Sequence, residues 1–380
     1  MNEEQVTRLL QDLVCIPSVN PSGDPGTSVN NTGESRMVAY LAEFFRKLAL
    51  DVEINDVEPD RANIVSKFAS RGAKTTIALA PHTDTVSVAG MTINPFGGEV
   101  RDGRLYGRGA TDTKGSMAAM LAALANVVRK KEFREGDVDV VFCGLMGEES
   151  GNDGARALVQ DGFKADFAIA GEPTDCRIVH THKGSVWFKI ITRGKSVHGS
   201  MPEKGESAIG KMAEVVQFML GDYTKSLRTM NDPVLGSPTV NVGVIRGGAQ
   251  TNIVPDYCEI EIDRRTIPGE TDEVIMSGLC EKLKHLRIEI QTARECRPLY
   301  TDPQSPFVQK LAAATEAGRD ALIGAPWFCD AALFAEKGTP AVAFGPGSVT
   351  QAHTADEFIE LKEVFRAAQI LERFLLSSAG

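Results

Sequence analysis

The chain has 380 residues, 42% hydrophobic and 24% charged, with 51 acidic against 41 basic residues and a net charge of −10. That length exceeds what one hydrophobic core usually serves, so two domains are predicted. The lack of any basic run excludes a nucleic-acid surface, and no apolar stretch approaches the ~18 residues of a membrane span. MNEEQVTRLLQDLV, at the start, lacks the basic end and apolar core of a signal peptide. Seven cysteines, an odd number with no C-x-x-C pair, fit reduced thiols and a cytoplasmic protein.

Residues 3–14 place Val6, Leu9, Leu10 and Leu13 on one face of an amphipathic helix, ended by Pro17 and Pro21. A polar loop covers 20–32. The helical period returns over 34–48, and strand-like runs follow at 51–55 and 62–68. Ile77 to Ala80 is a short buried strand, followed at once by His82 and Asp84. Asp102-Gly103 is the tip of a predicted hairpin. Asp112 stands in a turn between Gly109 and Gly115, before a helix over 116–131 that holds no Gly or Pro. The buried run 138–146 leads into Gly147-Glu148-Glu149. A helix at 153–160 and a strand at 167–171 then lead to Glu172-Pro173. This alternation predicts an α/β fold with a mixed, mostly parallel sheet flanked by helices. Ligands gather beyond the carboxyl ends of such strands, and His82, Glu148, Glu149 and Glu172 all stand there.

The texture changes near 178. Apolar and polar residues alternate over 185–193 and 257–264, as in half-exposed strands. A helix (206–220) and a polar stretch (221–238) lie between them; a helix (271–285) and a strand (286–292) follow. The pattern predicts a small inserted α+β domain over 178–295, between the two parts of a catalytic domain, 1–177 and 296–380. Pro298 to Pro306 reads as a return linker. A helix (305–317), a strand (340–344), the Gly-rich turn GPGSVTQAH ending at His353 and a last helix complete the chain.

An imidazole and carboxylates leaving buried strands suit a hard or borderline metal ion. In extended backbone Glu148 and Glu149 would point to opposite sides, one to a metal and one to substrate or water. Each group also has a plain alternative. His82 and Asp112 could be caps, and the Glu pair solvated acids at a helix start. Glu172 could be a turn carboxylate, His198 and His353 surface histidines, and Arg265 a salt-bridged strand end.

Taken together, HTD at 82–84, G-x-G-x-x-D-x-K-G at 107–115, GEE-x-G at 147–151, GEPT at 171–174 and GPG-x-x-x-x-AH at 345–353 resemble a known family. It is the dinuclear zinc amidohydrolase and metallopeptidase family of acetylornithine deacetylase, succinyl-diaminopimelate desuccinylase, aminoacylase and glutamate carboxypeptidase. The resemblance implies two zinc ions, with cobalt or manganese as possible substitutes. His82 and Glu172 would hold one, Glu149 and His353 the other, and Asp112 would bridge them. Asp84 would orient His82, Glu148 would be the general base, and the Asp112-Thr113 peptide would be cis. The inserted domain would be a ferredoxin-like lid and dimerisation domain, making the protein a homodimer. His198 would reach the neighbouring subunit's site to stabilise an oxyanion. Asn252 and Arg265 would bind the substrate carboxylate, and Lys183 is a further contact candidate.

The implied activity is hydrolysis of the amide of a small N-acyl amino acid, acetylornithine deacetylase-like. A desuccinylase and a metallocarboxypeptidase or dipeptidase remain alternatives. The last alternative, a metal-stabilised binding protein, has no use for Glu148. One departure stands out: Trp327-Phe328-Cys329 precedes Asp330 where family members often carry Thr or Ser, which bears on substrate choice.

Overall fold

Helix α3, Lys114–Val127, is apolar around most of its circumference, so it must lie inside the protein. In the computed structural model, which describes residues 1–23, 28–130, 133, 136 and 138–379, it does. Residues 24–27 of the polar loop and residue 131, the last of the expected helix 116–131, lie outside the described residues. The chain divides into two units. One comprises Met1–His180, Thr301–Ile323 and Cys329–Gly380; the other comprises Thr181–Tyr300 and Gly324–Phe328. The short excursion at 324–328 carries no sequence signal.

In the first unit the chain begins with α1 (Glu3–Val14), whose capping box pairs Asn2 with Gln5, and α2 (Ser35–Lys47). Strands β1 (Asp51–Glu58), β2 (Arg61–Phe68) and β3 (Thr75–Pro81) follow. Next come the hairpin strands β4 (Glu99–Arg101) and β5 (Arg104–Tyr106). Their turn puts Asp102 at φ 53° and Gly103 at φ 77°, the two left-handed positions that a two-residue hairpin needs. Beyond α3 come β6 (Val138–Gly144), α4 (Asp153–Gln160), β7 (Phe167–Gly171) and β8 (Ile178–His182), whose last two residues belong to the second unit.

The second unit contains β9 (Gly184–Arg193), α5 (Ala208–Phe218), β10 (Thr239–Gly247), β11 (Tyr257–Thr266), α6 (Asp272–Lys282), β12 (Glu289–Cys296) and β13 (Leu299–Tyr300). The chain returns through α7 (Pro306–Ala314), β14 (Leu322–Ala325), α8 (Ala331–Glu336), β15 (Ala341–Ala343), β16 (Phe358–Glu360) and α9 (Leu361–Ser378).

The mixed sheet is present, with helices against it. Its centre, β6–β3–β7–β15, is parallel. Parallel neighbours need crossovers, and α3 and α4 supply those from β3 to β6 and from β6 to β7. The outer pairs β1–β2, β2–β6 and β15–β8 are antiparallel, so the parallel part is the middle of the sheet rather than most of it. A small second sheet, β16–β5–β4, contains that hairpin; β16 has no counterpart in the sequence reading, because three residues are too few to show a period.

The second unit is a four-stranded antiparallel sheet, β10–β11–β9–β12. Val186, Phe188 and Ile190 of β9 and Cys258, Ile260 and Ile262 of β11 face one side. Ala208, Met212 and Val215 of α5 and Ile275 and Leu279 of α6 cover them. The order is ferredoxin-like, with α5 and α6 on one sheet face. The stretch expected to be polar after α5 instead continues as a π turn, Met219–Tyr223, and a helical turn, Thr224–Leu227. The expected return linker holds β13, which pairs with Thr181–His182 of β8.

His182 in this unit is fully buried. Its Nδ1–H donates to the Lys183 carbonyl at 2.9 Å, and its ring lies 6.3 Å from that of Trp327. Burial depresses its pKa to about 4. The native state therefore holds a neutral ring that the unfolded chain protonates below about pH 6.5. Stability is full above that pH and is lost as the pH falls from 6.5 towards 4, by about 2 kcal/mol at pH 5. His182→Phe is expected to show a smaller drop in Tm between pH 7.5 and 5.0 than the parent; an equal drop in both proteins would contradict this.

Candidate metal centre

β3, β6 and β7 are parallel neighbours, so their carboxyl ends open on one edge of the sheet. His82 follows β3 directly and forms a bridge with Leu145 beyond β6. The Glu148 and Glu149 turn follows β6, and Glu172 follows β7. The Glu172 loop is sewn to the Gly-rich turn before His353. Thr174 and Cys176 donate their backbone N–H to the Gly345 carbonyl at 3.3 and 2.8 Å. A Cβ at position 345 would stand 2.5 Å from the Glu172 carbonyl oxygen, so this approach requires glycine.

The two histidines meet one carboxylate. His82 Nε2 lies 3.0 Å from Asp112 Oδ1, and His353 Nε2 lies 3.3 Å from Asp112 Oδ2. His353 Nε2 is also 3.4 Å from Glu149 Oε2. His82, Asp112 and Glu149 each offer a ligand atom, all within 4.8 Å of one another. The Asp112-Thr113 peptide is cis. His353, in a left-handed conformation at φ 63°, is half exposed, whereas His82 is buried.

Asp84 does more than the sequence suggested. His82 Nδ1–H meets its backbone carbonyl at 3.0 Å and its carboxylate at 3.4 Å. The carboxylate itself accepts the backbone N–H groups of Glu148 and Glu149, each at 3.1 Å, and Asn20 Nδ2 at 2.7 Å. Glu148 and Glu149 sit in a turn, not in extended backbone, and this turn sends their side chains apart. Glu149 goes to His353. Glu148 Oε1 accepts from Asn152 Nδ2 at 3.1 Å.

The electrostatics are those of crowded anions. Burial first, then the charges of Asp330, Glu149 and Asp112, push the Glu148 pKa well up. Burial and Asp112 raise Glu149, and burial with the charges of Asp112 and Glu148 raises Glu172 well above its usual range. Burial would raise Asp112 too, but hydrogen bonds from His353 and His82 hold it far below the carboxylate range. Asp112 and Glu149 raise His353 to about 10. Glu149 Oε1 is buried without a hydrogen-bond partner among the described residues. Three carboxylates that repel one another around two imidazoles, with one oxygen left over, would be relieved by divalent cations. The donor set fits zinc or another borderline ion.

The remaining candidates lie in the second unit. His198 is exposed, with Nδ1 2.7 Å from Ser200 Oγ, and its loop bridges that of Asn252: Gly199 N–H donates to the Asn252 carbonyl at 2.7 Å. Arg265 donates to Asp263 Oδ2 at 3.1 and 3.0 Å, with its guanidinium over the Phe328 ring. Lys183 Nζ donates to the Ser237 carbonyl at 2.6 Å.

Several residues around the cluster escaped the sequence reading. Glu357 is fully buried and accepts from Arg108 Nη1, from the N–H of Gly109, and from the N–H of Thr111 and Asp112. It thereby grips the loop that carries Asp112. The only cue was its place four residues after His353. Asn20 and Asn152 gave no cue. Asp330 was noticed only as a landmark; burial, then the charges of Asp84 and Asp153, raise its pKa to about 6 against the Asn152 hydrogen bond. Cys329 is buried, and burial with the charge of Glu172 keeps its thiol neutral.

The chain is similar to known proteins along most of its length. Residues 78–377 match the model of peptidase family M20/M25/M40. An acetylornithine deacetylase of Myxococcus xanthus is 32% identical over 383 residues, covering 98% of this chain and 97% of that protein. Among solved structures, aminopeptidase PepT of Bacillus cereus superposes with a TM-score of 0.80 at 24% identity over 100% of both chains. A dinuclear metal-binding peptidase of the M20 family from Bacillus subtilis gives 0.72 at 17% identity, over 99% of this chain and 98% of that one.

Proposed function

The chain belongs to peptidase family M20/M25/M40, and we propose that this metal-dependent amidohydrolase removes the acyl group from an N-acyl amino acid, in the manner of an acetylornithine deacetylase. One observation carries the chemistry: two imidazoles meet the two oxygens of Asp112, while Glu148, close enough to feel the charges of Asp112 and Glu149, is bonded to Asn152. Similarity to acetylornithine deacetylases over nearly the whole chain supports the substrate class.

Two zinc ions are the occupants we favour, with cobalt or manganese able to substitute. His82 and Glu172 would hold one, Glu149 and His353 the other, and Asp112 both. Bound cations supply polarisation of the scissile carbonyl and acidify water. Glu148 takes a proton from the attacking water as the C–O bond forms. It returns that proton to the amide nitrogen as the C–N bond breaks, because an amine leaves poorly unless protonated. Asp84 keeps His82 Nε2 turned towards Asp112 by receiving its Nδ1–H.

Within the second unit we assign Arg265 and Asn252 to the substrate carboxylate and Lys183 to a further substrate contact. Arg265 would exchange Asp263 for the ligand's carboxylate, a geometry its fork suits. His198 would serve the oxyanion in a neighbouring subunit, which makes the second unit both lid and dimer surface. Its edge strand β10 has no outer partner among the described residues and carries Ile245, 60% exposed. No described helix is long and apolar enough to cross a membrane, and the free cysteines suit the cytoplasm we assign.

The deciding experiment is a panel of N-acetyl, N-succinyl and other N-acyl amino acids against dipeptides, with zinc supplied and free amine scored. N-acetyl amino acids are expected to turn over fastest, and a chelator to stop the reaction. Turnover of dipeptides alone would make the protein a peptidase. No turnover with zinc, cobalt or manganese would make it a binding protein.

A further inference from the structure

Asn152 and Asp330 are the N-cap residues of α4 and α8, and both are of a type that normally caps. Neither side chain caps its own helix. They bond to each other instead: Asn152 Nδ2 donates to Asp330 Oδ1 at 2.9 Å. The same nitrogen donates to Glu148 Oε1 at 3.1 Å. Asn152 and Asp330 are each 2% exposed, and Asn152 is held in the left-handed region at φ 58°. Two helices thus forgo ordinary caps, and one residue takes an uncommon backbone conformation, to deliver one amide nitrogen to one carboxylate.

We propose that Asn152 and Asp330 are positioning residues for Glu148. An asparagine amide can present either its NH2 or its oxygen to a neighbour. The Asp330 carboxylate only accepts, so it fixes the NH2 end towards the site. Glu148 Oε1 then receives a donor and is pinned, which leaves Oε2 for the water and the leaving nitrogen. Were the amide reversed, its oxygen would face the Glu148 carboxylate and drive it away. Asp330 acts through Asn152, and Asn152 through Glu148.

This inference rests on Glu148 being the base, and the test separates the two. The holoenzyme variants are Asn152→Gly, which keeps the left-handed conformation available, and Asp330→Asn. For both, kcat is expected to fall about 10–100-fold, as for other groups that orient a reacting one, with KM and metal stoichiometry unchanged. A purely structural role would lower metal content or Tm in step with activity. The sharper readout adds Asn152→Gly to Glu148→Gln under single-turnover conditions: no further loss is expected, because the two residues act as one unit. Losses that multiply, or a parental kcat in Asn152→Gly while Glu148→Gln is inactive, would overturn the positioning role alone. An active Glu148→Gln would remove the base assignment and the inference with it. If Asn152→Gly fails to fold, Asn152→Asp, which sets a third carboxylate against the other two, is expected to show the same fall in kcat with KM kept.

Discussion

Glu148→Gln is expected to bind metal as the parent does and to lose turnover by at least about 100-fold, the lower end of what a positioned acid–base group contributes. Glutamine keeps the size of the side chain and can still meet Asn152, so the fold and the neighbouring Glu149 are left in place. What disappears is the carboxylate to which we assign both proton transfers. With both transfers assigned to one carboxylate, the loss should appear in kcat, with KM little altered. Metal analysis and steady-state kinetics on one preparation suffice. Turnover within a fewfold of the parent would show that another group moves the proton, and the assignment of Glu148 would end there.

Asp112→Asn is expected to affect metal binding more than any other single change. Asp112 faces both His82 and His353. In the proposed site, removing its charge would take away the anion that two nearby cations would share. The amide also puts a donor where an imidazole nitrogen and a metal both need an acceptor. Metal affinity should fall by more than about 100-fold, beyond the loss seen when a supporting partner alone is removed. His353→Asn, which tolerates the left-handed backbone at that position, should be milder: one equivalent lost and one kept. Elemental analysis after dialysis reads both. Two full equivalents in Asp112→Asn would rule out a bridging carboxylate.

The ligand candidates were legible because each lies directly beyond a buried strand or in a glycine-punctuated turn, where local pattern and chemistry coincide. His82 after Ile77–Ala80 is the plainest case. The groups that hold these ligands were not legible. Asn152 and Asp330 are 178 residues apart, and Glu357 reaches Asp112 across 245. A single sequence carries no periodic signal for such pairs. The same limit hid β16, whose three residues matter only because β5 lies beside them. The turn at Glu148-Glu149 was misread as extended backbone because nothing in Gly-Glu-Glu-Ser-Gly distinguishes the two. What sets it is the remote carboxylate of Asp84.

Asp84 and Glu357 share a habit: five of the hydrogen bonds they receive come from peptide N–H groups, those of Glu148, Glu149, Gly109, Thr111 and Asp112. A peptide N–H is present whatever side chain its residue carries, proline excepted. The frame is therefore indifferent to the identity of the donor atoms it displays. A designer could exchange Glu149 for aspartate or histidine to retune ion preference while the anchoring of that segment stays as it is.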